Sequence, residues 1–163
     1  MIWQEFQAAT PELARLAQEQ FQPTGLALLG TIRRDGTPRI SPIEPVVVHD
    51  HLLLGMLWRS TKALDLLRDP RCILHSAITS LAGTEPEVKL RGQAVEVLDP
   101  DQWERHRHAF AERWGARAPE RFHIFSLVIE HAAYITYDTD TGEMIVKQWD
   151  PQRGLRETRR PYR

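Results

Sequence analysis

The stretch TGLALLGTIRRDGTPRISPIEPVVVHDHLLLGML, residues 24–57, decides the fold class. Asp35-Gly36 separates two extended apolar runs, and this dipeptide is the strongest short signal for a β-hairpin. A second turn around Asp50 leads into a third apolar run. We therefore predict three consecutive antiparallel strands, at about 25–33, 37–48 and 51–57.

The second of these strands is unusual because it contains Pro38, Pro42 and Pro45. Proline has no backbone N–H to donate, so a strand with three prolines cannot be fully paired on both sides. We expect this strand to be bulged or to lie at a sheet edge, with part of its backbone and side chains free for other contacts.

The rest of the chain continues the pattern of strands with inserted helices. Hairpin connections favour an antiparallel barrel or sandwich of six or seven strands over a doubly wound parallel sheet, and there is no GxGxxG motif. The fold class predicted is therefore mainly β with about three helices. The helices are predicted from Thr10-Pro11 to about Gln20, at 61–68 and from Asp99-Pro100 onward; the remaining strands at about 71–78, 87–98, 123–138 (one strand or two) and 144–150.

Composition limits the classes of partner. The 163 residues are expected to form a single domain over 1–163. A net charge of -1 argues against nucleic acid as the main partner, and no apolar stretch approaches the ~18 residues of a membrane span. The N-terminus does not resemble a signal peptide, and the single cysteine, Cys72, lies in an apolar run. Both features favour the cytoplasm.

The segment WRSTKALDLLRDPR, residues 58–71, carries the main candidate site. Ser60, Thr61 and Lys62 precede or open a short helix, whose first N–H groups have no partners within the helix. These groups form either an ordinary helix start with an exposed lysine or a site for an anion such as phosphate. Arg39 and Ser41 share one face of the proline-containing strand, which we predict to be adjacent to the strand that leads into Ser60. This proximity favours the anion site.

Other chemistry is weakly supported. His106 and His108 are two residues apart on a helix and do not face one another, so no metal site is predicted. We expect His106 to be half-buried among the aromatic residues of that helix, which are Trp103, Phe110 and Trp114. No nucleophile motif is present, so a cofactor would supply any reactivity, and we assign no catalytic side chain.

The C-terminal part adds two candidates without deciding between roles. Trp149 is either a core residue or a wall for a planar ring system. The five arginines from Arg153 onward form either a solvated terminus or a source of phosphate ligands.

The segments LGTIRRDGTPRISP, LLLGMLWRSTKALDLLRDPRCIL and EVKLRGQAVEV resemble the pyridoxamine 5′-phosphate oxidase-like family, the FMN-binding split β-barrels. The resemblance covers about residues 20–98, with a weaker match at 145–160. Ser60-Thr61-Lys62 and Asp69-Pro70-Arg71 have the family's spacing without a gap. The resemblance implies an antiparallel split β-barrel of Greek-key type and a homodimer with FMN at the subunit interface.

The resemblance also implies which residues bind the cofactor. Arg39 and Lys62 would bind the phosphate, with Ser60 and Thr61 beside them. The flavin ring would be lined by residues of several strands and of the C-terminal part: Ile40, Ser41, Gly55, Met56, Glu87, Trp149 and Arg159.

Three departures from the authentic oxidases bear on the substrate. Glu44 replaces a lysine that binds the substrate phosphate, Thr61 replaces an arginine, and the tail lacks the Arg-Leu-His-Asp-Arg signature. These departures argue against pyridoxamine phosphate as the substrate. The sequence therefore predicts an FMN-dependent oxidoreductase that acts on another small molecule. The alternatives are a deazaflavin-dependent reductase or a non-catalytic flavin or haem carrier or sensor.

Overall fold

The structure is a computed structural model that describes residues 1–114 and 119–162, without the side chains of residues 113 and 114. Within these residues it contains four helices and nine strands. The helices are α1 (Trp3–Ala9), α2 (Pro11–Phe21), α3 (Thr61–Arg68) and α4 (Pro100–Trp114). The strands are β1 (Ala27–Ile32), β2 (Pro38–Ile43), β3 (Pro45–Val48), β4 (His51–Leu57), β5 (Arg71–Ser76), β6 (Glu87–Glu96), β7 (Phe122–Asp138), β8 (Glu143–Asp150) and β9 (Gly154–Pro161).

Every strand pairing is antiparallel, and the order along the main path is β2-β1-β5-β6-β7-β4-β3. The 17-residue strand β7 organises the sheet, because it pairs with β6, β4 and β8. The sheet curls without closing, since its ends β2 and β3 are joined only through the chain at Glu44. This is the predicted split barrel with inserted helices.

Several predicted elements are confirmed, in particular the hairpin at Asp35-Gly36, strand 51–57 and helix 61–68. The proline-containing strand is divided into β2 and β3 at Glu44. Only β3 pairs with β4, whereas β2 pairs with β1 on the far side of the sheet. The predicted adjacency to β4 thus holds as pairing for residues 45–48 of this strand, whereas the part that carries Arg39 contacts β4 without pairing with it.

The two ends of the chain differ most from the prediction. Helix α1 was not expected; its Trp3 and Phe6 are fully buried in the main core. The arginine-rich tail is ordered rather than irregular, because it forms β9, which pairs with β8 along its length, while Arg153, Arg159 and Arg160 are exposed to solvent. The described helices include none that is long and apolar enough to cross a membrane.

Candidate functional site

The N-terminus of α3 is positioned by a tight turn at the end of β4. Arg59 has a φ of 54°, in the left-handed region that side chains with a Cβ rarely adopt. The Ser60 N–H donates to the Leu57 carbonyl at 3.0 Å, which closes the turn. The Ser60 hydroxyl is buried and has no hydrogen-bond partner among the described residues. The helix therefore begins next to a buried polar group whose hydrogen bonds are unfilled, as at a ligand site.

Lys62 connects α3 to β2. Its Nζ donates to the Pro42 carbonyl at 2.5 Å, and the side chain is only partly exposed. Burial lowers the pKa of Lys62 from its usual value, while the nearby Glu44 carboxylate acts in the opposite direction. A partly desolvated ammonium interacts more strongly with an anion than a solvated one does, because less water screens the charge.

Arg39 is held by a buried carboxylate that the sequence analysis missed. Arg39 Nε donates to Asp65 Oδ2 at 2.6 Å, and the Thr31 hydroxyl donates to the same oxygen at 3.0 Å. Burial alone would raise the pKa of Asp65, but the hydrogen bonds from Arg39 and Thr31 outweigh it and lower the pKa. The available signal was the position of Asp65 on the apolar face of α3, between the buried Ala63 and Leu66.

Arg39 and Lys62 thus both connect β2 to α3. Ser41 follows Arg39 on the inner face of β2, as the alternation predicted, whereas Ile40 points outward and is 73% exposed. The link between β2 and α3 is thus made at two points, by Arg39 to Asp65 and by Lys62 to the Pro42 carbonyl. It arises from side chains that cross from β2 to the helix rather than from pairing of neighbouring strands.

A cavity of about 430 Å³ opens beside this helix start. Four of the predicted site residues line it, namely Gly55, Met56, Ser60 and Lys62. The other lining residues are Pro42, Glu44, Leu57, His106, Phe110, Pro119 and Phe122. The volume is within the range of small-molecule sites, and the walls are mostly apolar with a few polar groups.

His106 of α4 lines the cavity and is more deeply buried than predicted. It is 2% exposed rather than half-buried, and neither ring nitrogen has a hydrogen-bond partner in the described part of the chain. A Cβ at Gly55 would lie 2.5 Å from His106 Cε1, so the ring packs against Gly55 and needs a glycine there. Burial lowers the pKa of His106 to about 4, so the imidazole is neutral at pH 7. The third predicted aromatic residue of α4, Trp114, has a side chain outside the described part.

Three predicted site residues lie elsewhere in the monomer. Glu87 is on the outer face of β6, where its Oε2 lies 2.8 Å from His75 Nε2 and 3.2 Å from Lys89 Nζ. Trp149 is 3% exposed and packs edge-on against Phe6 in the main core. Arg159 forms ion pairs with glutamates of β8 and β9. The monomer thus does not bring these three residues to the cavity.

Residues 13–136 match one family model, described as pyridoxamine 5′-phosphate oxidase. The chain belongs to the pyridoxamine 5′-phosphate oxidase family. A search of curated proteins gives no match for this family member. The residues described include no group of three His, Cys, Asp or Glu that could hold a metal ion.

Solved structures of the same fold cover most of this family member. The Mycobacterium tuberculosis protein Rv2991 has a TM-score of 0.63 at 21% identity and covers 74% of this chain and 82% of its own. Burkholderia lata PhzG, in complex with tetrahydrophenazine-1-carboxylic acid, has a TM-score of 0.62 at 13% identity, with 97% and 92% covered. The Vibrio cholerae haem storage protein HutZ has a TM-score of 0.60 at 18% identity, with 72% and 90% covered. At these identities the likeness concerns the fold.

Proposed function

We propose that this protein is an FMN-binding oxidoreductase whose cofactor phosphate binds at the start of α3. The observation that supports this most strongly is the Ser60 hydroxyl, which is buried at a helix N-terminus beside the partly desolvated Lys62 and has no partner among the residues that the structure describes. Helix N-termini with hydroxyl and cationic side chains bind phosphate groups well. The donor set therefore fits the group that the family relationship suggests.

In this proposal each residue has a stated part. Lys62 and Arg39 supply positive charge, and Ser60 and Thr61 supply hydroxyl donors. Asp65 holds the Arg39 guanidinium in place through the 2.6 Å bond. Gly55, Met56 and the inner face of β2 at Ser41 form the wall beside the phosphate, and the apolar lining excludes water. Bound FMN supplies one- or two-electron transfer, so the protein needs no acid or base of its own.

The proposed active form is a homodimer with the cofactor at the subunit interface. The outer face of β1, β2 and β5 is apolar and exposed, which is unusual for a monomer surface. Its residues Leu28, Ile40 and Ile73 are 41%, 73% and 38% exposed. Glu87 and its partner His75 lie on this same face. In the proposed dimer, Glu87 of one subunit belongs to the cofactor site of the other, since the family resemblance implies a place for it near the flavin ring.

The substrate is proposed to be a small molecule other than pyridoxamine phosphate. Glu44 lines the cavity and carries a negative charge where the authentic oxidases have a lysine. A second phosphate in the cavity would face this carboxylate, which costs binding energy because like charges repel. The proposed location is the cytoplasm, since the single cysteine, Cys72, is a buried free thiol.

A visible spectrum of the purified protein tests the cofactor assignment. We expect flavin bands near ~450 nm. A band near ~420 nm indicates deazaflavin, and a sharp Soret peak indicates haem. Haem is included as an alternative because the haem storage protein has the same fold. Bleaching of the flavin bands by NAD(P)H, and their return with an added electron acceptor, supports an oxidoreductase. A flavin that stays oxidised under these conditions contradicts the catalytic part of the proposal and favours a carrier.

A further inference from the structure

The cavity beside α3 contains a polar group that phosphate binding does not use. His106 lies on α4, which packs on β3 and touches β4 at Gly55, and its ring packs between Phe110 and Phe122 at centroid distances of 6.4 and 5.8 Å. Both nitrogens of the ring are buried and lack partners within the described residues. A buried polar atom without a partner loses its hydration and gains nothing in return. His106 is therefore a candidate ligand contact.

The surroundings of His106 define what it can bind. A neutral imidazole has one N–H donor and one acceptor nitrogen, so it can pair with a hydroxyl or a carbonyl. The walls are aromatic and aliphatic, through Met56, Leu57, Phe110 and Phe122, and suit a flat ring. The two charged lining groups, Lys62 and Glu44, are of opposite sign. When Lys62 is paired with a phosphate, only the Glu44 charge remains, and it disfavours an anion.

We propose that His106 is the hydrogen-bonding anchor of a subsite for an uncharged, ring-containing small molecule that carries a hydroxyl or carbonyl group. Gly55 is part of this subsite, since its missing side chain leaves the space that the imidazole occupies. The position of the ligand next to a flavin rests on the proposed function. Binding to His106 does not, because His106, Phe110 and Phe122 are not among the residues assigned to FMN, although Gly55 and Met56 border both.

Three naphthalene probes of one ring size test the subsite by isothermal titration calorimetry on the full chain with FMN added. The probes are 1-naphthol, which is uncharged at pH 7, 1-naphthoate and 1-naphthylmethylammonium. We expect 1-naphthol to bind at least about tenfold more tightly than 1-naphthoate. Tighter binding of either charged probe overturns the proposal, since it assigns recognition to Lys62 or Glu44 instead of His106.

Variants of α4 assign the contact to one side chain. His106→Phe keeps a flat ring without the nitrogens and should weaken 1-naphthol binding about tenfold, whereas His106→Gln should weaken it less. His108→Gln is the matched control, because His108 lies two residues away on the exposed face of the same helix. Equal affinity of the wild type and His106→Phe overturns the proposal.

Two spectroscopic measurements complement the binding experiments. If His106→Phe does not fold, the ring ¹⁵N shifts of His106 in the wild type serve instead, and they must move when 1-naphthol is added. A Soret band that disappears in His106→Gln makes His106 a haem ligand and overturns the proposal.

Naphthol binding that depends on His106 in a protein that fails to bind FMN refutes the proposed function alone. FMN binding without naphthol binding refutes this inference alone.

Discussion

At the residue scale, the site depends on Asp65, a buried carboxylate that accepts hydrogen bonds from Arg39 and Thr31. We predict that Asp65→Asn lowers the free energy of unfolding at pH 7 by about 2 kcal/mol, because it removes charge-assisted bonds from a buried position. The folded-state pKa of Asp65 is lowered. Its stabilising effect is thus fully present above the usual aspartate range and disappears as the pH falls through the folded pKa.

Urea unfolding of the wild type and Asp65→Asn at pH 7 and pH 3 measures this difference. The difference in the free energy of unfolding between the two proteins should be large at pH 7 and smaller at pH 3. Glu19→Gln is the control, since Glu19 forms an exposed ion pair with Arg15 and its loss should change little. Equal destabilisation by the two substitutions at pH 7 would remove the argument for Asp65.

His106 also loses its stabilising effect as the pH falls, but for another reason: burial disfavours its charged form, whereas hydrogen bonds favour the charged form of Asp65. The pKa of His106 is about 4 in the folded protein and 6.5 ordinarily, so the unfolded chain binds the proton more tightly. Stability is therefore complete above pH 6.5 and falls by up to about 3 kcal/mol as the pH approaches 4. His106→Phe should lose less stability between pH 7 and pH 4.5 than the wild type in urea unfolding, and His108→Phe should lose the same amount. A His106→Phe profile parallel to that of the wild type would contradict the buried neutral imidazole.

At the element scale, α4 is positioned against β4 by the contact between His106 and Gly55. Gly55→Ala places a Cβ 2.5 Å from His106 Cε1, which forces the helix or the ring to move. We expect a loss of about 1–3 kcal/mol in the free energy of unfolding, as for other overpacked cores. In the His106→Ala background the same substitution should cost clearly less, because the clashing ring is absent. Additive costs in chemical denaturation of the four proteins would show that the two residues do not share this contact.

The elements that the sequence predicted well are those with strong local signals. Asp35-Gly36 determined the first hairpin, and Asp69-Pro70 ended α3 at the predicted place. Helix α1 is only seven residues long, and its stability comes from Trp3 and Phe6 in the core, which no local pattern reveals. Half of the residues of strand β9 are charged, and the strand forms because it pairs with β8. Contacts with residues distant in the sequence therefore determine both α1 and β9.

In the candidate site, too, some residues were predictable from local sequence and others were not. Ser60, Thr61 and Lys62 are adjacent in the sequence, and their role at a helix start was predictable from spacing. The roles of Asp65 and His106 depend on burial by distant strands. Trp149 was left open between core and ligand wall, and Phe6 of the unpredicted α1 settles its place in the core of the monomer.

At the scale of the whole molecule, the exposed apolar face of β1, β2 and β5 predicts a homodimer. Wild-type protein should elute with twice the chain mass of 18.9 kDa in size-exclusion chromatography with light scattering. Ile40→Lys places a charge at the most exposed apolar residue of this face and should shift the protein to monomer. Leu155→Lys, on β9 at the other end of the sheet, should remain dimeric. A monomeric wild type, or a dimeric Ile40→Lys, would contradict this interface.

The phosphate site at the start of α3 is the central claim, and one comparison tests it directly. FMN and riboflavin differ by the phosphate, so the ratio of their affinities isolates its contribution. In flavin-fluorescence titrations the wild type should bind FMN at least about tenfold more tightly than riboflavin, a difference of ~1.4 kcal/mol. Lys62→Ala should weaken FMN binding to near that of riboflavin without unfolding the domain. Equal affinity of the wild type for the two flavins, or an unchanged FMN affinity in Lys62→Ala, would contradict the assignment.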